Sequence, residues 1–241
     1  DVMKNFHVVA GSSEPAAYAI CALESYGFEP ENDEKVFYGI FDFGGGTSDF
    51  DFGLWTKSTE EDLYDYCIEH FGTQGDRYLG GENLLQLLAF EVFVQNIQLC
   101  MRQQIPFAKP NEMISVPTEF TGFVNDSQEA RMNQKLMMEK LRPFWERSDS
   151  QGKLVVDLEE FSEFQLGLFN VEGTLKSNLG FEVEIDSLNK ILEQRIEKGV
   201  IQFFESLKDT FSDKHMSKLL RADQINIFLA GNSSKSPILQ D

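Results

Sequence analysis

Three consecutive glycines, Gly44-Gly45-Gly46, stand between an acid, Asp42, and the run Thr47-Ser48-Asp49. Residues without side chains let backbone N–H groups converge on an anion, and glycine tolerates the positive φ that such a cradle needs. Phosphate is the obvious guest. A carboxylate at Asp42 suits a hydrated divalent cation, because Mg²⁺ keeps several waters and takes few protein ligands. Thr47 offers a hydroxyl on the far side of the turn. A plain glycine-rich hairpin would account for the three glycines alone, but it needs neither the acid before them nor the Thr-x-Asp after them.

Two other loops are rich in small residues. Gly75-Asp76-Arg77-Tyr78-Leu79-Gly80-Gly81-Glu82-Asn83 leads into an apolar segment from about residue 84, where Phe90, Val94, Ile97 and Met101 recur at helical spacing. Glycines at a helix N-terminus let a ligand reach unpaired N–H groups at the positive end of the dipole, but they equally serve a loop that merely needs room to turn. The sequence leaves both readings open. Ala230-Gly231-Asn232-Ser233-Ser234-Lys235-Ser236-Pro237 follows an apolar run over 225–229, and its Ser-Pro pair announces a further helix.

The elements that must position these loops follow from periodicity. Residues 36–43 and 50–55 alternate as two strands around the glycines, and 63–71 reads as a third. A short strand over 6–10 precedes a helix over 16–26, which Gly27 stops. The stretch 102–125 holds three prolines and is a long connection with a short strand around 113–116. Residues 127–147 return to helix, which Pro143 should bend or end. Residues 154–185 are strand-rich, with turns at 170–173 and 177–180. Asp186 caps the next helix, whose stripe of Leu188, Leu192, Ile196, Val200, Phe203 and Leu207 faces a core. A shorter helix over 214–220 leads to the buried strand 225–229. This order predicts an α/β core from residues 1–81 and 186–241, with a smaller α+β subdomain inserted over 82–185.

With 40 acidic residues against 21 basic ones, the formal net charge of −19 repels polyphosphate backbones, which argues against nucleic acid as a partner. A nucleotide held by backbone amides and a metal ion is still compatible with that field. No apolar run is long enough to span a bilayer, so no membrane partner is expected. Cys21, Cys67 and Cys100 are odd in number and far apart. They are read as reduced core thiols of a cytoplasmic protein. The chain opens without Met and closes just after a helix start, which suggests a piece of a longer protein.

Taken together, Glu14-Pro15-Ala16-Ala17-Tyr18-Ala19, Phe41 through Asp49, Gly75 through Asn83, and Phe228 through Pro237 resemble, in order, motifs of the actin-like ATPase superfamily. Within it, the chain is most similar to the second lobe of the nucleotide-binding domain of the 70-kDa heat-shock chaperones. The resemblance implies an actin-like ATPase (ribonuclease H-like) lobe that binds ATP or ADP with Mg²⁺. It places Gly44, Gly45, Gly46 and Thr47 at the phosphates, gives catalytic roles to Asp42 and Thr47, and puts Asp42 and Asp49 at the metal. Gly80 and Gly81 would lie beside the sugar; Gly231, Asn232, Ser233 and Lys235 beside the adenosine; Glu139 and Arg142 at ribose and adenine.

The partners so implied are a first lobe of the same parent chain and a nucleotide-exchange or co-chaperone protein. The parent would hydrolyse ATP by in-line attack of water, and this piece alone would not. Three other members of the superfamily's range fit the same loops: a filament-forming ATPase, a small-molecule kinase and a non-hydrolysing scaffold. The chain departs from the family at Pro143-Phe144-Trp145-Glu146, where a basic and hydroxyl pattern is usual. Its last loop is one residue longer than the family's, and its 102–125 connection looks like an insertion.

Overall fold

The two strands around the glycines form as their alternation predicts: β1 is Lys35–Phe43 and β2 is Ser48–Lys57. A computed structural model describes residues 14–31, 34–58, 65–148, 157–212 and 225–236. The expected strand over 6–10, the helix over 214–220 and the helix after Ser236 lie outside the described residues. The chain divides into two compact units.

The first unit holds the described residues of Asp1–Asp42, Asp49–Gly75 and Phe203–Ala230. It contains most of a four-stranded sheet in the order β3-β2-β1-β6, with β3 at Tyr66–Asp76 and β6 at Ile225–Ala230. β6 runs parallel to β1, pairing Phe37 with Ile225 and Asp42 with Ala230. A connection of only four residues makes β1 and β2 antiparallel, so the sheet is mixed. The protein is therefore of mixed α/β class.

β1 is apolar almost throughout because both of its faces are covered. On one face the helix α1 (Glu14–Ser25) sets Ala19, Ala22 and Leu23 against Val36, Tyr38, Ile40 and Phe228. Gly27 ends this helix at φ 72°, with the Gly27 and Phe28 amides returning to the Glu24 and Leu23 carbonyls. On the other face Phe203 packs among Phe41, Phe50 and Phe52. Burying that ring contributes about 2–3 kcal/mol.

One polar group crosses three strands inside this unit. Tyr38 Oη donates to Asp51 Oδ2 at 3.1 Å and lies 3.2 Å from His70 Nδ1. Gly53 leaves the space that the Tyr38 hydroxyl needs, since a Cβ there would stand 2.4 Å from it. Burial pushes the Asp51 carboxyl above the usual range, against the opposing pull of His70 and Tyr38.

The second unit holds the described residues of Phe43–Ser48, Asp76–Gln202 and Gly231–Asp241. Here α2 (Gly81–Gln95) and α3 (Ile97–Arg102) are separated at Asn96, and α4 (Gln128–Glu146) packs on both α2 and the hairpin of β4 (Glu163–Phe169) and β5 (Leu175–Glu182). Ser127 caps α4 by accepting from the Ala130 amide at 3.1 Å. The fully buried Asn133 donates to the Pro106 and Phe169 carbonyls and accepts from the Phe169 amide. A long helix, α5 (Ile185–Ser212), presents buried Arg195 to Asp76 and Glu112 at 2.7 Å each.

Several expectations are corrected. Residues 113–116 are not a strand: Ile114 is 95% exposed, and the connection instead makes a single parallel bridge, Phe107 to Val124. Residues 177–180 do not turn but lie within β5, with Gly180 paired to Gln165. Pro143 does not end α4, because the burial of Phe144 and Trp145 holds its last turn. Asp186 sits in the first turn of α5 rather than at its cap. Val200 is exposed, since the buried face of α5 runs through Leu188, Leu192, Arg195, Gly199, Phe203 and Ser206. Cys21 and Cys67 are exposed, and only Cys100 is a core thiol, pushed up to about 12 by burial. Among the described residues no helix is long and apolar enough to cross a membrane.

Candidate functional site

The glycine turn is built from its carbonyl side. Its own closure is one bond, from the Gly44 amide to the Thr47 carbonyl at 2.9 Å. Everything else that holds it comes from distant segments of the second unit. The Gly44 carbonyl accepts from the Gly81 amide at 3.2 Å and from Ser233 Oγ at 2.9 Å. The Gly45 carbonyl accepts from the Glu82 amide at 2.6 Å, and the Gly46 carbonyl accepts from Asn83 Nδ2. The first amides of α2, orphans in any helix, are thus satisfied by the turn.

This arrangement decides between the two readings of the Gly-Gly pair. The Gly81 and Glu82 amides are already donated to main-chain carbonyls, so they do not form a separate anion site. The glycines are there for close approach: a Cβ on Gly80 would lie 2.4 Å from the Gly46 carbonyl carbon, and one on Gly81 would lie 2.7 Å from Ser233 Oγ. Ser48, almost fully buried, donates to the Leu79 carbonyl at 2.7 Å and ties the loop to the start of β2. Asp76 organises the loop further, accepting from the Tyr78 amide at 2.8 Å and from Arg195.

With the carbonyls anchored, the amides define the open side. Among the described residues, the Gly45, Gly46 and Thr47 amides donate to no backbone carbonyl. All three residues are exposed, and a Cβ added at Gly45 or Gly46 would meet nothing within 4 Å. None of Gly44, Gly45 and Gly46 takes the positive φ expected of an anion cradle, because the turn closes through the Gly44–Thr47 bond without it. What the turn offers is three exposed residues whose N–H groups are not spent on backbone carbonyls and can donate to phosphate oxygens.

The remaining candidates fall as follows. Asp42, half-buried, ends the paired part of β1 opposite Ala230, and Asp49 is exposed on β2; both belong to the first unit. Among the described residues no three His, Cys, Asp or Glu side chains gather to hold a metal ion. Gly231, at φ 85°, and Asn232 open a short 3₁₀ turn, Asn232–Lys235, and both are exposed. Glu139 and Arg142 meet each other. Arg142 also reaches Glu82 at 2.7 Å and Glu146 at 3.5 Å, and its hydrogen bonds to Glu139 and then Glu82 raise its pKa. The hydrogen bond from Arg142 holds the Glu139 carboxyl below its usual range.

Three residues that matter here were not singled out for the site from the sequence. Asn83 lay within a recognised motif, but its side-chain role depends on where the turn arrives. Ser48 was an unremarked neighbour of Thr47. Trp145 is almost fully buried, with Nε1 3.1 Å from the position of a Cβ on Gly81 and its ring edge-on to Phe43. Its carbonyl accepts from Ser236 Oγ at 3.0 Å. Compared with protein-family models and with curated proteins, the chain matches none.

Proposed function

We propose that this chain is the ATP-binding lobe of a heat-shock-chaperone-like ATPase, an actin-like lobe that works opposite a first lobe of its parent in the cytoplasm. The observation that carries the reading is the glycine turn, whose carbonyls are held by Gly81, Glu82, Asn83 and Ser233 while its amides stay open. A turn so anchored meets developing charge on phosphoryl oxygens without reorganising. Thr47 adds an exposed hydroxyl beside the amides. By the resemblance, Asp42 and Asp49 are the residues that would hold Mg²⁺ through its waters, and the ion would supply charge neutralisation. The first lobe provides the rest of the phosphate cradle, and an exchange or co-chaperone protein acts on the pair.

The test is ATP hydrolysis by the natural full-length protein, with and without Asp42→Asn. Slow hydrolysis that collapses in the variant supports the ATPase reading. ATP binding without hydrolysis in the wild type selects a second reading, a non-hydrolysing scaffold. That reading draws on the engagement of Arg142 and Glu139 with protein partners rather than with open space. Neither binding nor hydrolysis removes both. The 241-residue chain alone is expected to bind ATP weakly and to turn over none.

A further inference from the structure

Resting on the phosphate-site reading above, we infer that the site recognises the polyphosphate chain and is indifferent to the nucleobase, with Trp145 and Arg142 as the residues that close the nucleoside side. Selecting a base needs either a pocket to receive it or donors and acceptors left unpaired to meet it. Among the described residues of the second unit that the resemblance sets beside the nucleoside, both are already taken.

Arg142 shows this most fully. A guanidinium has five N–H donors. Nε donates to Glu139 Oε2 at 3.2 Å. Nη1 donates to Glu82 Oε1 at 2.7 Å and to Glu146 Oε1 at 3.5 Å. Nη2 donates to Glu82 Oε2 at 3.2 Å and to Glu139 Oε1 at 2.8 Å. Every donor of Arg142 is used within the protein, and each oxygen of Glu139 accepts one of those bonds. Ser233 is committed too, its hydroxyl donating to the Gly44 carbonyl at 2.9 Å.

The space is occupied as well. Trp145, 2% exposed, lies against Gly81 as Ser233 does: a Cβ there would stand 2.7 Å from Ser233 Oγ and 3.1 Å from Trp145 Nε1. The Trp145 indole lies beside Gly81, where the resemblance puts the sugar. What remains open is the amide face of Gly45, Gly46 and Thr47, which offers hydrogen bonds to phosphate oxygens and nothing that distinguishes adenine from guanine.

The experiment is calorimetric titration of the natural full-length protein, in Mg²⁺ buffer, with ATP, GTP, sodium tripolyphosphate and adenosine. Affinities for the three polyphosphates within about threefold of one another, with no detectable adenosine binding, are expected. ATP binding more than tenfold tighter than both GTP and tripolyphosphate would overturn the inference and leave the phosphate site standing. Binding of none of them would overturn the phosphate reading too. Trp145→Ala, if it retains a cooperative melting transition, is expected to raise the ATP-to-tripolyphosphate affinity ratio at least tenfold. An unchanged ratio in that folded variant would remove Trp145 from the role. Should the variant not fold, the wild-type ratios alone decide.

Discussion

The second unit contains two hairpin turns, on connections of four and five residues, that solve the same geometric problem differently. The turn between β4 and β5, Asn170–Gly173, closes mostly on itself, with one bond to a distant segment, from the Val171 amide to the Gln104 carbonyl at 3.0 Å. Asn170 Oδ1 accepts from the Glu172 and Thr174 amides at 3.1 and 2.8 Å, and the Asn170 carbonyl accepts from the Gly173 amide at 2.9 Å. The turn between β1 and β2 makes one bond of its own and takes the rest from residues 81–83 and 233. A hairpin whose only task is to reverse the chain closes its bonds locally. The glycine turn instead takes most of its bonds from outside, on its carbonyl side, and leaves the Gly45, Gly46 and Thr47 amides without backbone acceptors among the described residues.

Gly80→Ala should break the comparison hardest. A Cβ there meets backbone atoms of Gly45 and Gly46 that cannot swing away, so urea titration should show a loss of about 2–3 kcal/mol and ATP binding should disappear. Gly173→Ala, at φ 75°, should cost about 1 kcal/mol and leave ATP binding intact. A Gly80→Ala protein as stable as wild type would show that the turn is not clamped.

The two asparagines sharpen it next. Asn83→Ala and Asn170→Ala each remove the side chain that completes a turn, and each should cost about 1–2 kcal/mol. Only Asn83→Ala should weaken ATP binding, by severalfold in the same calorimetric titration. Equal binding in the two variants would erase the distinction. Gly45→Ala should leave the melting curve within about 0.5 kcal/mol of wild type, because open space surrounds the new Cβ, yet reduce ATP affinity by placing a methyl group beside the amides.

The smallest effect is in acid. Arg142 depresses the Glu139 carboxyl, so the stability from this pair is present above the ordinary glutamate pKa and is lost as pH falls through the lower folded value. The Tm difference between wild type and Glu139→Gln should therefore shrink as the pH is lowered through that window. A difference independent of pH would mean that the ion pair contributes nothing, as exposed pairs often do.

Local chemistry carried the sequence reading where local chemistry decides. The Gly27 stop and the Ser127 start of α4 were legible because each depends on φ or on a nearby hydroxyl, and the glycine turn was legible from the two alternating strands on either side of it. Long-range pairing decided the rest. Gly180 looked like a turn residue, yet its pairing with Gln165 keeps it in β5. The apolar stripe read along α5 drifted off the buried face because that face includes Arg195, Gly199 and Ser206, which no count of apolar residues includes. Arg195 is buried because Asp76 and Glu112 meet it, and those partners lie 119 and 83 residues away. In the site, the residues of the turn were visible, but the side of it that would be open depended on contacts from Asn83 and Ser233.

Timing follows from those same contacts. The Ser233 hydroxyl and the Gly44 carbonyl are 189 residues apart, so this bond cannot form on a growing chain until residue 233 has been made. Closing so long a span is entropically costly, and native contacts of high sequence separation slow folding. The hairpin around the glycines can appear early, with its carbonyls still solvated and its shape unfixed. Its final geometry arrives only when the last loop docks. A stalled or truncated chain lacking Ser233 would carry the glycine motif without the bond that holds the Gly44 carbonyl, and the proposed phosphate site would form only once the unit had finished folding.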